Sequence, residues 1–172
     1  MKAIIDARQP AHALGYDGPL ALVRLCGVPL IVRMLYLLRS SGVREALIVA
    51  GPYVEQLSSF LCDERELGMH LFYLSSLEEA LDMIGKDEVL LVPANLVASE
   101  SLLELVLRSK SPSAIVMGGK PVGAVKARSE AIRAALGEGA EGPEDIAASL
   151  LASGRAQEID PLSFVVHEQG VR

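Results

Sequence analysis

Short runs of consecutive apolar residues recur along this chain, and stretches with helical spacing separate them. The runs are Ala3-Ile4-Ile5, Leu47-Ile48-Val49, Leu71-Phe72-Tyr73-Leu74, Val89-Leu90-Leu91-Val92 and Ala114-Ile115-Val116-Met117. Each is short enough for a strand and apolar on both faces, which predicts buried strands. From about Pro29 to Ser41, Leu30, Ile31, Met34, Leu35, Leu37 and Leu38 fall on one broad helical face, with Pro29 suited to the first turn and Gly42 to the end. Gly51-Pro52 opens a helix carrying Val54, Leu57, Phe60 and Leu61. Ser75 followed by Glu78 reads as a capping box for a helix ending near Gly85. Further helices are predicted over Ser99 to Arg108, roughly 128–136 and 143–153, and a last strand over Ser163-Phe164-Val165-Val166.

Buried strands alternating with helices predict an α/β fold: a mostly parallel sheet covered on both faces, three layers in all, with right-handed crossovers. At 172 residues the chain is expected to form one domain, 1–172. Residues 7–19 read as loop. The softest piece is Gly137-Glu138-Gly139-Ala140-Glu141-Gly142-Pro143, a flexible connection between two helices. There is no internal repeat or low-complexity tract.

Composition narrows the class. Hydrophobic residues make up 51% and the net charge is −6. That charge argues against a nucleic-acid or anionic-membrane surface, which would need a basic patch. Cys26 and Cys62, with no visible signal peptide, point to reduced thiols in a cytoplasmic setting, and their apolar neighbours point to burial. The most apolar stretch, Leu20 to Leu38, is interrupted by Arg24, Gly27, Pro29 and Arg33, so it does not read as a membrane span.

The run Gly18-Pro19-Leu20-Ala21-Leu22-Val23-Arg24-Leu25-Cys26-Gly27-Val28-Pro29-Leu30-Ile31, leading into a helix and then into Gly42-Val43-Arg44-Glu45-Ala46-Leu47-Ile48-Val49-Ala50-Gly51, resembles the start of a sugar-phosphate nucleotidyltransferase domain of the cytidylyltransferase-like kind. The resemblance covers most of the chain in order of elements, and residues 18–51 at the level of motif. It implies a Rossmann-like nucleotide-diphospho-sugar transferase fold. It also implies in-line attack of one phosphate on the α-phosphorus of another, in a site with backbone donors, lysines and carboxylate-held Mg²⁺.

The positions that would carry this chemistry depart from the family pattern. The glycine-rich phosphate loop is matched by Asp6-Ala7-Arg8-Gln9-Pro10-Ala11-His12, where Pro10 has no N–H to give. Arg8 and His12 could touch an anion there or stay solvated. Leu20 stands in place of the family's lysine, and Arg24, four residues on, is a substitute if it does not simply reach solvent. Asn95 falls where the first metal aspartate belongs, and Val166 where the second does, with His167 and Glu168 beside it. Lys120, in Gly119-Lys120-Pro121, resembles the lysine that meets the acceptor phosphate.

Two functional readings follow from the resemblance. In the first, the domain no longer transfers nucleotides and acts as a binding, regulatory or packing module. Such domains neighbour CDP-alcohol phosphotransferases of phospholipid synthesis, and this one would then be a piece of a longer protein, needing no cofactor. In the second, it is an active transferase using Mg²⁺ and rearranged ligands among Asp6, Asp17, Glu168 and Lys120. A nucleotide, or a sugar or alcohol phosphate, is the expected ligand in either case. A homodimer through the apolar helix faces, or a fused membrane enzyme, is the expected assembly. An unrelated α/β domain, receiver-like or small-molecule-binding, is a third reading, and the 18–31 run speaks against it.

Overall fold

The computed structural model describes residues 1–62 and 67–161. Its centre is a seven-stranded sheet in the order β5-β4-β1-β6-β8-β7-β9. The strands are β1 (Lys2–Asp6), β4 (Glu45–Val49), β5 (His70–Leu74), β6 (Glu88–Pro93), β7 (Ser113–Met117), β8 (Lys120–Arg128) and β9 (Gln157–Ile159). A separate two-stranded ribbon is made by β2 (Arg24–Leu25) and β3 (Val28–Pro29). Within the seven-stranded sheet β8 runs against its neighbours and the other pairings are parallel, while the ribbon is antiparallel. The mostly parallel α/β architecture expected from the apolar runs is therefore the one observed.

Alternate residues of each strand supply opposite cores, as the pleat requires. Ala3, Ile5, Ile48, Leu90 and Val92 pack with helices α1 (Leu30–Ser40), α2 (Val54–Cys62) and α4 (Glu100–Arg108). Ile4, Leu47, Val89 and Leu91 pack with α3 (Leu77–Ile84), α5 (Ser129–Gly137) and α6 (Pro143–Ala152). Three layers result. From β1 the chain winds outward to β4 and β5, then returns to the other side of β1 as β6. That reversal opens a crevice at the carboxyl ends of β1 and β6, where open α/β sheets place their ligands.

Several expectations shift. The helix cap belongs to Ser76, whose hydroxyl accepts from the Glu79 N–H at 3.2 Å, while the Glu79 carboxylate accepts from the Ser75 N–H at 2.8 Å. The reciprocal device is thus one residue later than Ser75 and Glu78. Lys120 to Val125, read as a turn and then a strand, are all within the nine-residue β8. The strand expected over 163–166 lies outside the described residues, and β9 precedes it. Cys26 and Cys62 are exposed, not buried. Cys26 sits at φ 51 beside Gly27 at φ 82, the two-residue turn of the β2–β3 ribbon, so tight-turn geometry carries it outward despite its apolar neighbours.

Lys126 is the buried charge of the sheet, 7% exposed on β8. Its ammonium donates to the Leu107 and Ser109 carbonyls at 2.9 and 2.8 Å and lies 3.4 Å from Glu88. It satisfies the last carbonyls of α4, where a cation also meets the negative end of the helix dipole.

Candidate functional site

The crevice between the ends of β1 and β6 is a cleft of about 610 Å³, lined by Asp6, Arg8, Gln9, Pro93 and Asn95 on the sheet side and by Glu141 to Asp145 at the start of α6. Asp6 closes β1. Its carbonyl accepts from the Ala94 N–H at 2.8 Å and the next amide, Ala7, donates to the Val49 carbonyl at 2.8 Å, which fixes the strand exit between β4 and β6. The Asp6 side chain is 10% exposed and that of Arg8 is 33% exposed.

These two side chains form a closed pair. Arg8 donates from Nε to Asp6 Oδ1 at 2.9 Å and from Nη2 to Oδ2 at 2.7 Å, a fork-to-fork contact. The Arg8 N–H also donates to Oδ1 at 3.1 Å. Nη2 reaches the Glu141 carbonyl as well, at 2.7 Å. The hydrogen bond to Asp6 raises the Arg8 pKa above its ordinary value. Partial burial opposes the rise, and the charges of Asp6, Glu78 and Glu141 add to it. The Arg8 stem lies against Gly51, where a Cβ would stand 3.2 Å from Arg8 Cγ on a backbone at φ 56.

The loop after β1 is already bonded within the protein. Arg8 N–H goes to Asp6, Ala11 N–H to the Gly18 carbonyl at 2.9 Å, and Gln9 offers its carbonyl to Leu20 N–H at 2.8 Å. Pro10, bridged to Pro19, has no donor. Of the loop amides, those of Arg8 and Ala11 are thus engaged within the protein, and Pro10 has none to offer a polyphosphate. The opposite wall is no better suited to an anion. At the start of α6, Pro143 lacks an N–H, Glu144 and Asp145 occupy the first turn, and Asp145 Oδ2 accepts from the Glu141 N–H at 3.3 Å. Carboxylates therefore take the positive end of the helix dipole. The cleft presents four carboxylates against the single guanidinium of Arg8.

Gly123 allows this wall to form. It sits at φ 80 in an irregular stretch of the β7–β8 ladder, and a Cβ there would meet Pro93, Pro143 and Glu144 side chains at 3.2 Å each. Only a bare backbone lets α6 approach β8 so closely.

Asp6, Arg8 and Asn95 are brought together. Lys120 lies next door, exposed at the start of β8, in a hollow of about 500 Å³ that shares Pro93, Asn95 and Glu144 with the cleft. It has no ion-pair partner among the described residues. His12 and Asp17 pair at 3.7 Å on the surface, away from the cleft lining. Arg24 donates to the Gly27 carbonyl at 3.1 Å inside its ribbon and is likewise absent from the cleft. Val166 and Glu168 lie outside the described residues.

The family's Mg²⁺ does not fit the residues gathered here. Both Asp6 oxygens are held by Arg8, and Asn95 brings no charge. Among the described residues, no group of three His, Cys, Asp or Glu side chains is placed to hold a metal ion. Glu141, Glu144 and Asp145 were not anticipated as site residues. The Pro-Glu-Asp start of a helix could be read from the sequence, but its position opposite β1 could not.

No protein-family model matches the chain, and no curated protein matches it in sequence. Solved structures do match in shape. A nucleotidyl transferase from Methanothermobacter thermautotroptrophicus superposes with a TM-score of 0.69 at 16% identity, over 92% of this chain and 86% of that one. A protein described as a glucose-1-phosphate thymidylyltransferase from Bacillus anthracis, in complex with a sucrose, gives 0.69 at 15% identity over 93% and 86%. No helix among the described residues is long and apolar enough to cross a membrane. At these identities the likeness is one of fold: the chain has the α/β fold of nucleotidyl transferases.

Proposed function

We propose that this domain keeps the transferase fold without performing transfer, and serves as a binding or regulatory module. The observation that carries the reading is the Asp6–Arg8 pair. The carboxylate at the carboxyl end of the first strand is neutralised by a neighbour two residues away. Around it, the Arg8 and Ala11 amides are engaged, Pro10 has none, and the facing helix turn is acidic. A nucleoside triphosphate and a phosphorylated acceptor repel each other, and a site of this charge would add to that repulsion where transfer requires it to be relieved. Loss of metal assistance alone is worth several kcal/mol of barrier, about a thousandfold or more in rate.

Lys120 is the cation left for a single phosphate group, so a sugar or alcohol phosphate suits this surface better than a triphosphate. A setting beside a CDP-alcohol phosphotransferase, as partner or fused domain, rests on analogy with domains of the family that this chain resembles. The test is a melting series with CTP and with inositol phosphate, each with and without Mg²⁺, together with a pyrophosphate-release assay. The expected result is no pyrophosphate and no metal-dependent rise in Tm with CTP, since tight binding must raise Tm by mass action. Mg²⁺-dependent pyrophosphate release that disappears in Asp6→Asn would establish the active alternative instead.

A further inference from the structure

Arg8 does more than neutralise Asp6. Its Nη2 joins two separate pieces of the chain, the end of β1 and the bridge between α5 and α6. Among the described residues, the side-chain and backbone bonds of the rest of that bridge run to α5, to α6 and to Arg155 just past α6. Glu138 is held by Ser149 and Arg155 at 2.7 Å, Ala140 N–H donates to the Ala135 carbonyl at 3.1 Å, and Glu141 N–H donates to Asp145. At Gly142, a Cβ would stand 3.8 Å from Asp6 Oδ2, so the bridge passes directly over the carboxylate. Withdrawing the guanidinium would leave Asp6, Glu141, Glu144 and Asp145 in one cleft with no lining cation. Like charges lining one cleft repel, and the hydrogen bond shown between the bridge and the end of β1 is the one through Arg8, whereas β1 is held on both sides by β4 and β6.

We propose that Arg8 is a built-in occupant of the cleft: a latch whose guanidinium takes the place of an external cation and straps residues 141–142 to the end of β1. The cradle for that head is defined on both sides, a bidentate carboxylate and a backbone carbonyl. It is selective for a planar fork over a point charge. While the latch is closed, an external cation cannot reach Asp6.

The latch shares the Asp6–Arg8 pair with the proposed loss of transfer, but its test reads bridge exchange and cation rescue where that reading is tested by pyrophosphate release, so the two can fail separately. In Arg8→Ala, amide exchange across residues 139–142 is expected to rise about tenfold or more over the native protein. N-ethylguanidinium, which replaces the deleted atoms, should reverse that rise and lift Tm, while N-ethylammonium at the same concentration should not. The double variant Asp6→Asn/Arg8→Ala should show no such rescue. Equal rescue by both cations would mean screening alone and would overturn the latch. So would rescue that survives Asp6→Asn, or bridge exchange unchanged by Arg8→Ala. Should Arg8→Ala fail to fold, Arg8→Lys keeps the charge but cannot span both partners; it should loosen the bridge in a folded protein, and an unaltered bridge there would equally overturn the proposal.

Discussion

The Asp6–Arg8 pair can be weighed by a double-mutant cycle. Arg8→Met keeps the aliphatic stem against Gly51 and removes only the charged head. Three side-chain hydrogen bonds are lost, at 2.9 and 2.7 Å to Asp6 and 2.7 Å to the Glu141 carbonyl. Bonds to charged groups contribute about 1.5–3 kcal/mol each when sheltered. Arg8 is a third exposed, so water and salt recover part of this, and about 1 kcal/mol per bond is the better figure. Three bonds at that figure, with Asp6 at 10% exposure left without its cation, put the total at about 3 kcal/mol. Asp6→Asn alone should cost a similar amount, because it strands the guanidinium. The double variant should cost less than the two singles together, with a coupling of about 1–2 kcal/mol. For a chain of this length the single variants should melt about 5–10 °C lower. Urea denaturation at neutral pH, followed by circular dichroism, measures all four corners. A single-variant loss under about 0.5 kcal/mol, or strict additivity, would show that the pair is a surface contact and would remove the support for the functional reading.

Gly123→Ala should cost about 3 kcal/mol, from a left-handed backbone and three contacts at 3.2 Å, and denaturation should show it even though only one methyl is added. Lys126→Met should cost about 2–4 kcal/mol, because the Leu107 and Ser109 carbonyls lose their donor in a buried place, and amide exchange at the end of α4 should rise with it. Glu138 gives a pH signature. The Ser149 hydrogen bond first, then the Arg155 hydrogen bond and charge, hold its pKa below the ordinary 4.5, with a small opposing push from desolvation. A carboxyl lowered in the folded state stabilises the fold above its unfolded pKa and loses that contribution as pH falls through the folded value. Native protein should therefore lose more stability below about pH 4.5 than Glu138→Gln does; equal acid sensitivity would refute this.

The fold was legible because it depends on repetition. Ala3-Ile4-Ile5 and Val89 to Val92 are apolar on both pleat faces, and few arrangements other than a covered parallel sheet accept such strands. The helix over Leu30–Ser40 was equally plain from its spacing. The less legible parts were those decided by a partner distant in sequence. β9, Gln157–Ile159, has two exposed residues of three and is a strand only because β7 offers an edge. β8 reads as a turn around Lys120-Pro121 until Met117 and Val116 pair with it. Cys26 followed apolar neighbours toward burial on paper, whereas the turn of a two-residue hairpin puts it outside.

The site divides in the same way. The departures from the pattern that the resemblance implies could be read residue by residue: Pro10 in the phosphate loop, Leu20 for a lysine, Asn95 for an aspartate. What it has instead rests on proximity. Asp6 and Arg8 are two apart at a strand exit, where side chains at that spacing share a side, so their pairing was the one signal within reach of sequence. The Glu141–Asp145 wall was not, because the sheet order and the bare Gly123 backbone bring α6 against β8 and β6. That difference bears on function. A cleft that had merely lost its catalytic groups would be expected to fill with apolar or neutral side chains, since unpaired charge in a half-buried place is costly. This one holds four carboxylates and one guanidinium, with Asp6 and Arg8 bonded to each other and a glycine at a left-handed φ admitting the acidic turn. On the proposed reading, such a cleft disfavours polyanions and keeps its own cation, the opposite of what the transfer of nucleotides demands.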